Sequence, residues 1–312
     1  MFLRMDAFRC HQIKLKIFMS RIRLKYRIPI VVSLIIVSTV TFLSYSNVKS
    51  KVISNDRERG VVLIPDGKLV AEDPISKNVK EFSVKPFLLD KNLVTVSEFD
   101  AFVKTTKYVT EADKFGNAGV FDAATGTWVL VDGANYRYPF GRNKGEAKSN
   151  HPVTQVSWND ARAYAKWKGK RLPTQWEWEF AARNGKNSTT PYSWGNDLIE
   201  RGKYKANTWQ GSFPYHNTIE DGYESTSPVG VFGENALGLT DMGGNVWQWC
   251  EDSIEPTAAE AASDPALRRV LRGGSFLCDP LVCHGYKVNG RSSCTPETAL
   301  VHIGFRCAKD IE

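Results

Sequence analysis

The 312-residue chain holds only five histidines, six cysteines and four methionines, and each scarcity removes a class of protein. Six cysteines are too few for a disulfide scaffold of this length, so each must be judged by its surroundings. His11, His151, His216 and His302 stand apart from any ligand spacing, and no H-x-x-x-H pair occurs. G-x-S-x-G, a Walker loop and a dinucleotide fingerprint are also missing, which leaves haem, zinc hydrolysis and nucleotide chemistry without support. No repeat period and no low-complexity block interrupts residues 61–312, which therefore read as one domain and not as a solenoid. Long apolar runs are missing too, with one exception.

That exception is residues 28–45 (IPIVVSLIIVSTVTFLSY), which carry no charge. As a helix rising about 1.5 Å per residue the run reaches roughly 27 Å, close to a hydrocarbon core of about 30 Å. Eight bases precede it and two follow. The asymmetry predicts a basic cytoplasmic tail at 1–27, a transmembrane signal-anchor at 28–45 and an extracytoplasmic (periplasmic or luminal) remainder. A cleaved signal peptide fits less well, because the nearest small-x-small site, Ser44-Tyr45-Ser46, is poor. Residues 46–60 are polar and aperiodic, as in a linker. The tail also accounts for the basic balance. Residues 1–51 hold ten Lys/Arg against Asp6 alone, so the other 261 residues carry 31 bases and 33 acids. A net charge near −2 gives nucleic acid no basic surface to bind.

What the soluble part does have is tryptophan, nine in all, and signals for short helices. Capping boxes at Thr95-x-x-Glu98, Ser157-x-x-Asp160 and Thr174-x-x-Glu177 predict three helix starts, with Gly169 and Gly185 placed to end the second and third. The first helix would bury Phe99, Phe102 and Val103, and the second Ala161, Tyr164, Ala165 and Lys166/Trp167. Strand-like runs fall at 61–64, 81–89, 245–249, 270–276 and 304–308. Beyond Asn187 periodicity fades into Gly, Asn, Asp, Pro and aromatic residues. Irregular segments of that length need side-chain networks or metal ions, because buried unpaired amides are costly.

Two constellations carry chemistry. In Arg272-Gly273-Gly274-Ser275-Phe276-Leu277-Cys278-Asp279-Pro280-Leu281-Val282-Cys283 the cysteines are five apart, which matches neither zinc nor thioredoxin spacing. Two thiolates suit a soft, low-coordinate ion such as Cu(I); a structural disulfide is the competing reading. The second constellation is rich in oxygen: Asn207-Thr208-Trp209-Gln210-Gly211, then 217–223, then Asp241-Met242-Gly243-Gly244-Asn245-Val246-Trp247-Gln248-Trp249. Such side chains and Gly-permitted carbonyls suit Ca²⁺, and equally suit Asx-turns in loops.

Taken in order, these residues resemble the formylglycine-generating enzymes, or sulfatase-modifying factors. The likeness begins at Val62-Leu63-Ile64-Pro65-Asp66-Gly67 and runs through Val94-Thr95-Val96-Ser97-Glu98-Phe99 and His151-Pro152-Val153-Thr154-Gln155-Val156-Ser157-Trp158. It continues in Arg171-Leu172-Pro173-Thr174-Gln175-Trp176-Glu177-Trp178-Glu179 and Trp209-Gln210-Gly211. It ends with Asn245-Val246-Trp247-Gln248-Trp249, Arg272-Gly273-Gly274-Ser275 and Gly304-Phe305-Arg306-Cys307-Ala308. The framework around Trp158 and Trp247 recurs across the wider superfamily, whereas Cys278 and Cys283 behind Ser275 are specific to its copper oxidases.

The resemblance implies an α+β, irregular, C-type-lectin-related fold over 61–312 with little regular structure. It implies Cu(I) on Cys278 and Cys283, with Ser275 hydrogen-bonding in the oxygen pocket. One Ca²⁺ would use Asn207, the Thr208 carbonyl, Asp221 and the Tyr223 carbonyl. Another would use Asp241, the Gly244 and Val246 carbonyls and Gln248; in the family the two side-chain positions are often Asn and Glu. The implied reaction converts a cysteine in a C-x-P-x-R stretch of an unfolded sulfatase to formylglycine, using O₂ and reducing equivalents. Trp209, Trp247 and Tyr286 would wall the groove for the extended peptide, with Arg291 among the residues that bind it.

The chain departs from the pattern after the second cysteine, where only Tyr286, Lys287 and Arg291 keep the family's basic aromatic run. Ala182 and Val288 occupy positions of the disulfides in secreted animal relatives, leaving Cys250, Cys294 and Cys307 over, with a Cys250–Cys294 bridge open. Two other functions fit the same framework: a membrane-tethered lectin-like binding or scaffold protein without activity, and an iron-dependent sulfoxide synthase, which would need more histidine ligands.

Overall fold

Backbone hydrogen bonding is fragmented. The computed structural model describes residues 60–73, 77–255 and 267–311, and among them the largest sheet has four strands. The signal-anchor expected at 28–45 lies outside the described residues, as do the tail and nearly all of the linker. Among the described residues no helix is long and apolar enough to cross a membrane.

Four helices form. Helix α1 (Val96–Thr106), α3 (Trp158–Trp167) and α4 (Gln175–Ala182) start at the three expected capping boxes. In each, the cap hydroxyl accepts from the N3 amide while the N3 carboxylate accepts from the cap amide, as in Thr174 N–H to Glu177 Oε2 at 2.8 Å. Two orphan amides are thereby satisfied at each start. Helix α2 (Glu111–Phe115) is capped by Thr110; its single turn is too short for periodicity to reveal. Asp160 at the start of α3 also accepts from the Glu111 amide at 3.1 Å, which ties α2 to α3. The faces of α1 and α3 bury Phe99, Phe102, Ala161, Tyr164 and Ala165 as expected. Lys166 and Trp167, placed on the packed face by the sequence reading, are exposed. They sit in the last turn at the edge of the core, where the Trp167 ring still lies 5.5 Å from that of Phe102.

The strands are β1 (Val61–Ile64), β2 (Gly67–Glu72), β3 (Val79–Val84), β4 (Phe87–Asp90), β5 (Asn117–Asp122) and β6 (Thr127–Asp132). Four two-residue strands follow: β7 (Ile199–Glu200), β8 (Lys203–Tyr204), β9 (Gly211–Ser212) and β10 (His216–Asn217). The last five are β11 (Trp247–Ile254), β12 (Arg268–Arg272), β13 (Arg291–Cys294), β14 (Ile303–Gly304) and β15 (Ala308–Asp310). The run expected at 81–89 divides into β3 and β4 at Lys85-Pro86, because proline has no amide for a ladder. The run at 270–276 stops at Arg272, where two glycines turn the chain. The four-stranded sheet has the order β13-β12-β11-β14, and β14 joins parallel to β11. A three-stranded sheet, β1-β4-β15, sets Val61–Ile64 and Ala308–Asp310 on either side of Phe87–Asp90.

One apolar cluster gathers Phe99, Phe102, Tyr136, Tyr164, Trp249 and Phe305; another gathers Ile64, Leu69, Phe87, Trp178 and Phe180. Most aromatic pairs within the first meet edge to face, as Phe99 and Tyr136 do at 5.1 Å, while Phe99 and Tyr164 stack, both being arrangements that ring quadrupoles favour. Three buried indoles find acceptors: Trp158 on Cys250 O (2.9 Å), Trp249 on Val156 O (3.0 Å) and Trp178 on Gln248 Oε1 (2.8 Å). Cys250 is buried and not joined to Cys294; burial pushes its thiol well up, so it stays protonated.

An ion pair without solvent access spans the two layers. Arg272 at the end of β12 meets Glu179 of α4 at 2.5 Å, with side-chain exposures of 0% and 1%. Arg183 reaches the same carboxylate at 2.9 Å. Glu179→Ala leaves that guanidinium buried and unpaired, so unfolding stability should fall by about 3–5 kcal/mol in urea or guanidinium titration. A loss below about 1 kcal/mol would show that the pair does not hold the layers.

Candidate functional site

Directly after Arg272 the backbone enters left-handed conformations at Gly273 (φ +95) and Gly274 (φ +67). A Cβ on Gly274 would lie 2.5 Å from the Tyr286 amide nitrogen, so only glycine fits both the angle and the space. The turn delivers Ser275 into a fully buried position. Its amide donates to Cys278 Sγ at 3.4 Å, and the Cys278 amide returns to Ser275 O at 2.9 Å. Asp279 then folds the next turn: its carboxylate accepts from the Leu281 and Val282 amides, and its carbonyl from Cys283. These local bonds bring Cys278 and Cys283 together with Cα atoms 5.0 Å apart and the sulfurs joined as a disulfide. Cys278 is buried, Cys283 half-buried, and Leu281 between them 90% exposed.

Ser275 Oγ accepts from the Leu277 amide at 3.3 Å and shares a 3.1 Å hydrogen bond with His302 Nδ1. The sequence reading passed over His302, 27 residues away. The parallel pairing of β14 with β11 imports it, with the Trp247 amide donating to His302 O at 2.9 Å. Its ring lies 4.8 Å from that of Trp128 on β6. No local signal marked it, because that pairing joins distant segments.

Of the four residues expected to bind a peptide, one lines a cavity. Trp209, with Phe121, Val129, Phe140, Phe276 and Leu277, borders a space of about 800 Å³. The Trp209 amide donates to Cys278 O at 3.1 Å, and its indole N–H is buried without an acceptor. Trp247 and Tyr286 are instead core residues. Tyr286 packs 5.8 Å from Tyr192, and burial pushes its hydroxyl up to about 12. Arg291 faces the buried pair described above, 3.6 Å from Glu179 and 5.1 Å from the Trp176 ring. The cavity at Trp209 is bordered by the β5–β6 hairpin and the 276–277 segment, whereas Trp247 and Tyr286 of the expected wall stand in the core and Arg291 stands beside Glu179. The close passage of the glycine turn draws 286 inward, and β13 pairing with β12 carries Arg291 to Glu179.

The first oxygen set converges. Asp221 accepts from the Thr208 amide (2.9 Å), Gln210 Nε2 (2.9 Å) and the Tyr223 amide (2.9 Å). Burial raises its pKa. Asn207 donates to Ser225 O at 2.8 Å, while its Oδ1 is buried with no partner. A buried amide oxygen without a donor, beside a carboxylate and flanking carbonyls, is a donor set that fits a hard cation. In the second set, Asp241 Oδ2 accepts from the Gly230 amide at 2.7 Å. Gln248 Oε1 accepts from Trp178 Nε1 and Arg306 Nε, both at 2.8 Å, and its Nε2 donates to Asp241 O at 2.8 Å. Among the described residues no group of three His, Cys, Asp or Glu side chains converges as for a metal, so any cation here must use amides and carbonyls.

Burial holds the His302 ring down to about 3 against 6.5 for the free side chain. The unfolded chain takes up a proton that the folded one refuses, so this contribution to stability is complete above pH 6.5 and is lost as pH falls toward 3. His302→Asn removes the titration and should flatten the stability–pH curve across that window, read by denaturant unfolding at several pH values. An unchanged slope would contradict a neutral, buried ring.

A formylglycine-generating enzyme of Thermomonospora curvata is 44% identical, the alignment covering 81% of this chain and 94% of that protein. An inactive C-alpha-formylglycine-generating enzyme 2 of Bos taurus is 37% identical over 86% of this chain and 94% of its own length. Among solved structures, PvdO from Pseudomonas aeruginosa superposes with a TM-score of 0.57 at 25% identity, covering 80% of this chain and 94% of that one. Residues 48–311 match the sulfatase-modifying factor enzyme 1-like domain, and the chain belongs to that family.

Proposed function

We propose that this chain activates sulfatases by oxidising a cysteine in a C-x-P-x-R stretch to formylglycine, with Cu(I) held by Cys278 and Cys283. The observation that carries the reading is the turn that presses these two sulfurs together beside Ser275, one residue from the cavity wall at Leu277. A thiol reductant opens the disulfide and leaves two thiols that the same turn bonds hold in place. Paired thiolates select a soft monovalent ion. Copper bound there supplies one-electron chemistry with O₂ that ordinary side chains lack.

The overall change is balanced. The substrate CH₂–SH, O₂, two electrons and two protons give CH=O, H₂S and H₂O, with a thiol as electron donor. The protein's own residues orient and exclude. Ser275, fixed by the Leu277 amide and His302, offers a hydroxyl next to Cys278. The apolar cavity beside Trp209 takes an extended peptide, as an unfolded client would present. The Asn207–Asp221 set, holding Ca²⁺, fastens the irregular loop that carries Trp209. Anchoring by residues 28–45 and an extracytoplasmic domain belong to the same proposal and rest on the charge asymmetry of the sequence.

A non-catalytic binding module is the second reading, favoured by the cross-linked cysteines and by the inactive relative. Mass spectrometry on a C-x-P-x-R peptide separates the two. With copper, O₂ and thiol supplied, the peptide should lose one sulfur and two hydrogens and gain one oxygen. Cys283→Ser should abolish this conversion while leaving the thermal unfolding midpoint within a few degrees of the parent. An unchanged peptide with the parent protein would leave the binding module.

A further inference from the structure

At the second oxygen set the orientation of the Gln248 amide and the position of Arg306 decide what can bind. Both neighbours of Gln248 Oε1, the Trp178 indole and the Arg306 Nε, are donors only. The amide orientation is therefore dictated, with the oxygen on their side and the NH₂ on the other. That NH₂ donates to Asp241 O at 2.8 Å and leaves so little room that a Cβ on Gly273 would stand 2.9 Å from it. An N–H group repels a cation. Arg306 completes the closure. Its five donors go to Gln248 Oε1, to the Asp90 and Lys91 carbonyls, and to the Thr240 and Asp241 carbonyls. Asp241 O thus accepts from both Gln248 and Arg306, and both its lone pairs are committed.

The charge is also already met. Asp241 is buried with the Arg306 guanidinium as its cationic neighbour, and Arg306 is fully buried itself. A divalent ion added there would leave an excess of positive charge in a dry interior. At the first set Gln210 Nε2 likewise donates to the Asp221 carboxylate and the Thr208 carbonyl, but the charge balance is opposite: Asp221 has a raised pKa from burial, no cationic group contributes to it, and Asn207 Oδ1 lacks a donor.

We infer that Gln248 and Arg306 replace a cation at the second cradle, so that this chain binds one Ca²⁺, between Asn207 and Asp221, and excludes the other. The single-site part rests on the calcium reading of the first set; the exclusion at Gln248 does not. Gln248→Glu tests it. The carboxylate keeps one oxygen for Trp178 and Arg306 and turns the other toward Asp241 O, where two acceptors face each other and a cation relieves them.

Native mass spectrometry of the full chain, stripped with chelator and returned to calcium, should count one ion in the parent, two in Gln248→Glu and none in Asp221→Asn. The melting temperature of Gln248→Glu should fall in chelator and recover with calcium. Two ions in the parent, or one remaining in Asp221→Asn, would overturn the exclusion. So would an unchanged count in a folded Gln248→Glu. Should Gln248→Glu fail to fold even with calcium, the parent and Asp221→Asn counts still decide. No ion in the parent but one in Gln248→Glu would remove the first-site reading and keep the exclusion.

Discussion

A guanidinium sealed from water governs where the functional residues stand. Arg272 bonds Glu179 of α4 at 2.5 Å and the Val288 carbonyl at 2.9 Å, and lies over the Trp178 ring at 5.2 Å. It therefore joins a helix, the last residue of β12 and the segment that returns after Cys283. The glycine turn begins at the next residue. Ser275 follows three residues after that anchor, and the desolvation cost of an unpaired charge keeps the anchor in one arrangement.

The same device recurs wherever ladders are short. Arg306 collects four carbonyls and a side-chain amide from segments some 60 to 215 residues away. Asn245 accepts from the Ser227 amide at 3.0 Å and sends its own amide to Asn207 O at 2.8 Å, linking the two oxygen sets. A fold with little regular structure must satisfy buried backbone groups through side chains. Here arginine and asparagine take that part, and at the first oxygen set the pattern leaves one oxygen over. That surplus acceptor sets the first set apart from the second, where Trp178 and Arg306 already occupy the Gln248 oxygen.

Legibility in the sequence followed the range of the interaction. Thr95, Ser157 and Thr174 with their N3 carboxylates act within one turn, and all three helices start where they predicted. Cys278 and Cys283 were readable as a pair because the turn between them closes through Asp279, also local. The β5–β6 hairpin and α2 were not read, since five- and six-residue elements carry too little periodicity against an aromatic and glycine background. His302 was set aside for lacking ligand spacing, although its contact with Ser275 needs no spacing at all, only the parallel pairing of β14 with β11. Tyr286 and Trp247 are groove residues by likeness, and the structure packs both in the core, while Arg291 is half-buried beside Glu179.

By itself the sequence determined the family, the helix starts, the paired cysteines and the oxygen-bearing residues, because each is written in neighbouring residues or in an ordered series of motifs. Tertiary structure alone decided that Gln248 turns its nitrogen inward, that Asn207 keeps an unpaired oxygen, and that the cavity wall belongs to Trp209 and the β5–β6 hairpin. Those outcomes depend on which donors arrive from distant segments. A polar atom's availability is settled by what has already bonded to it.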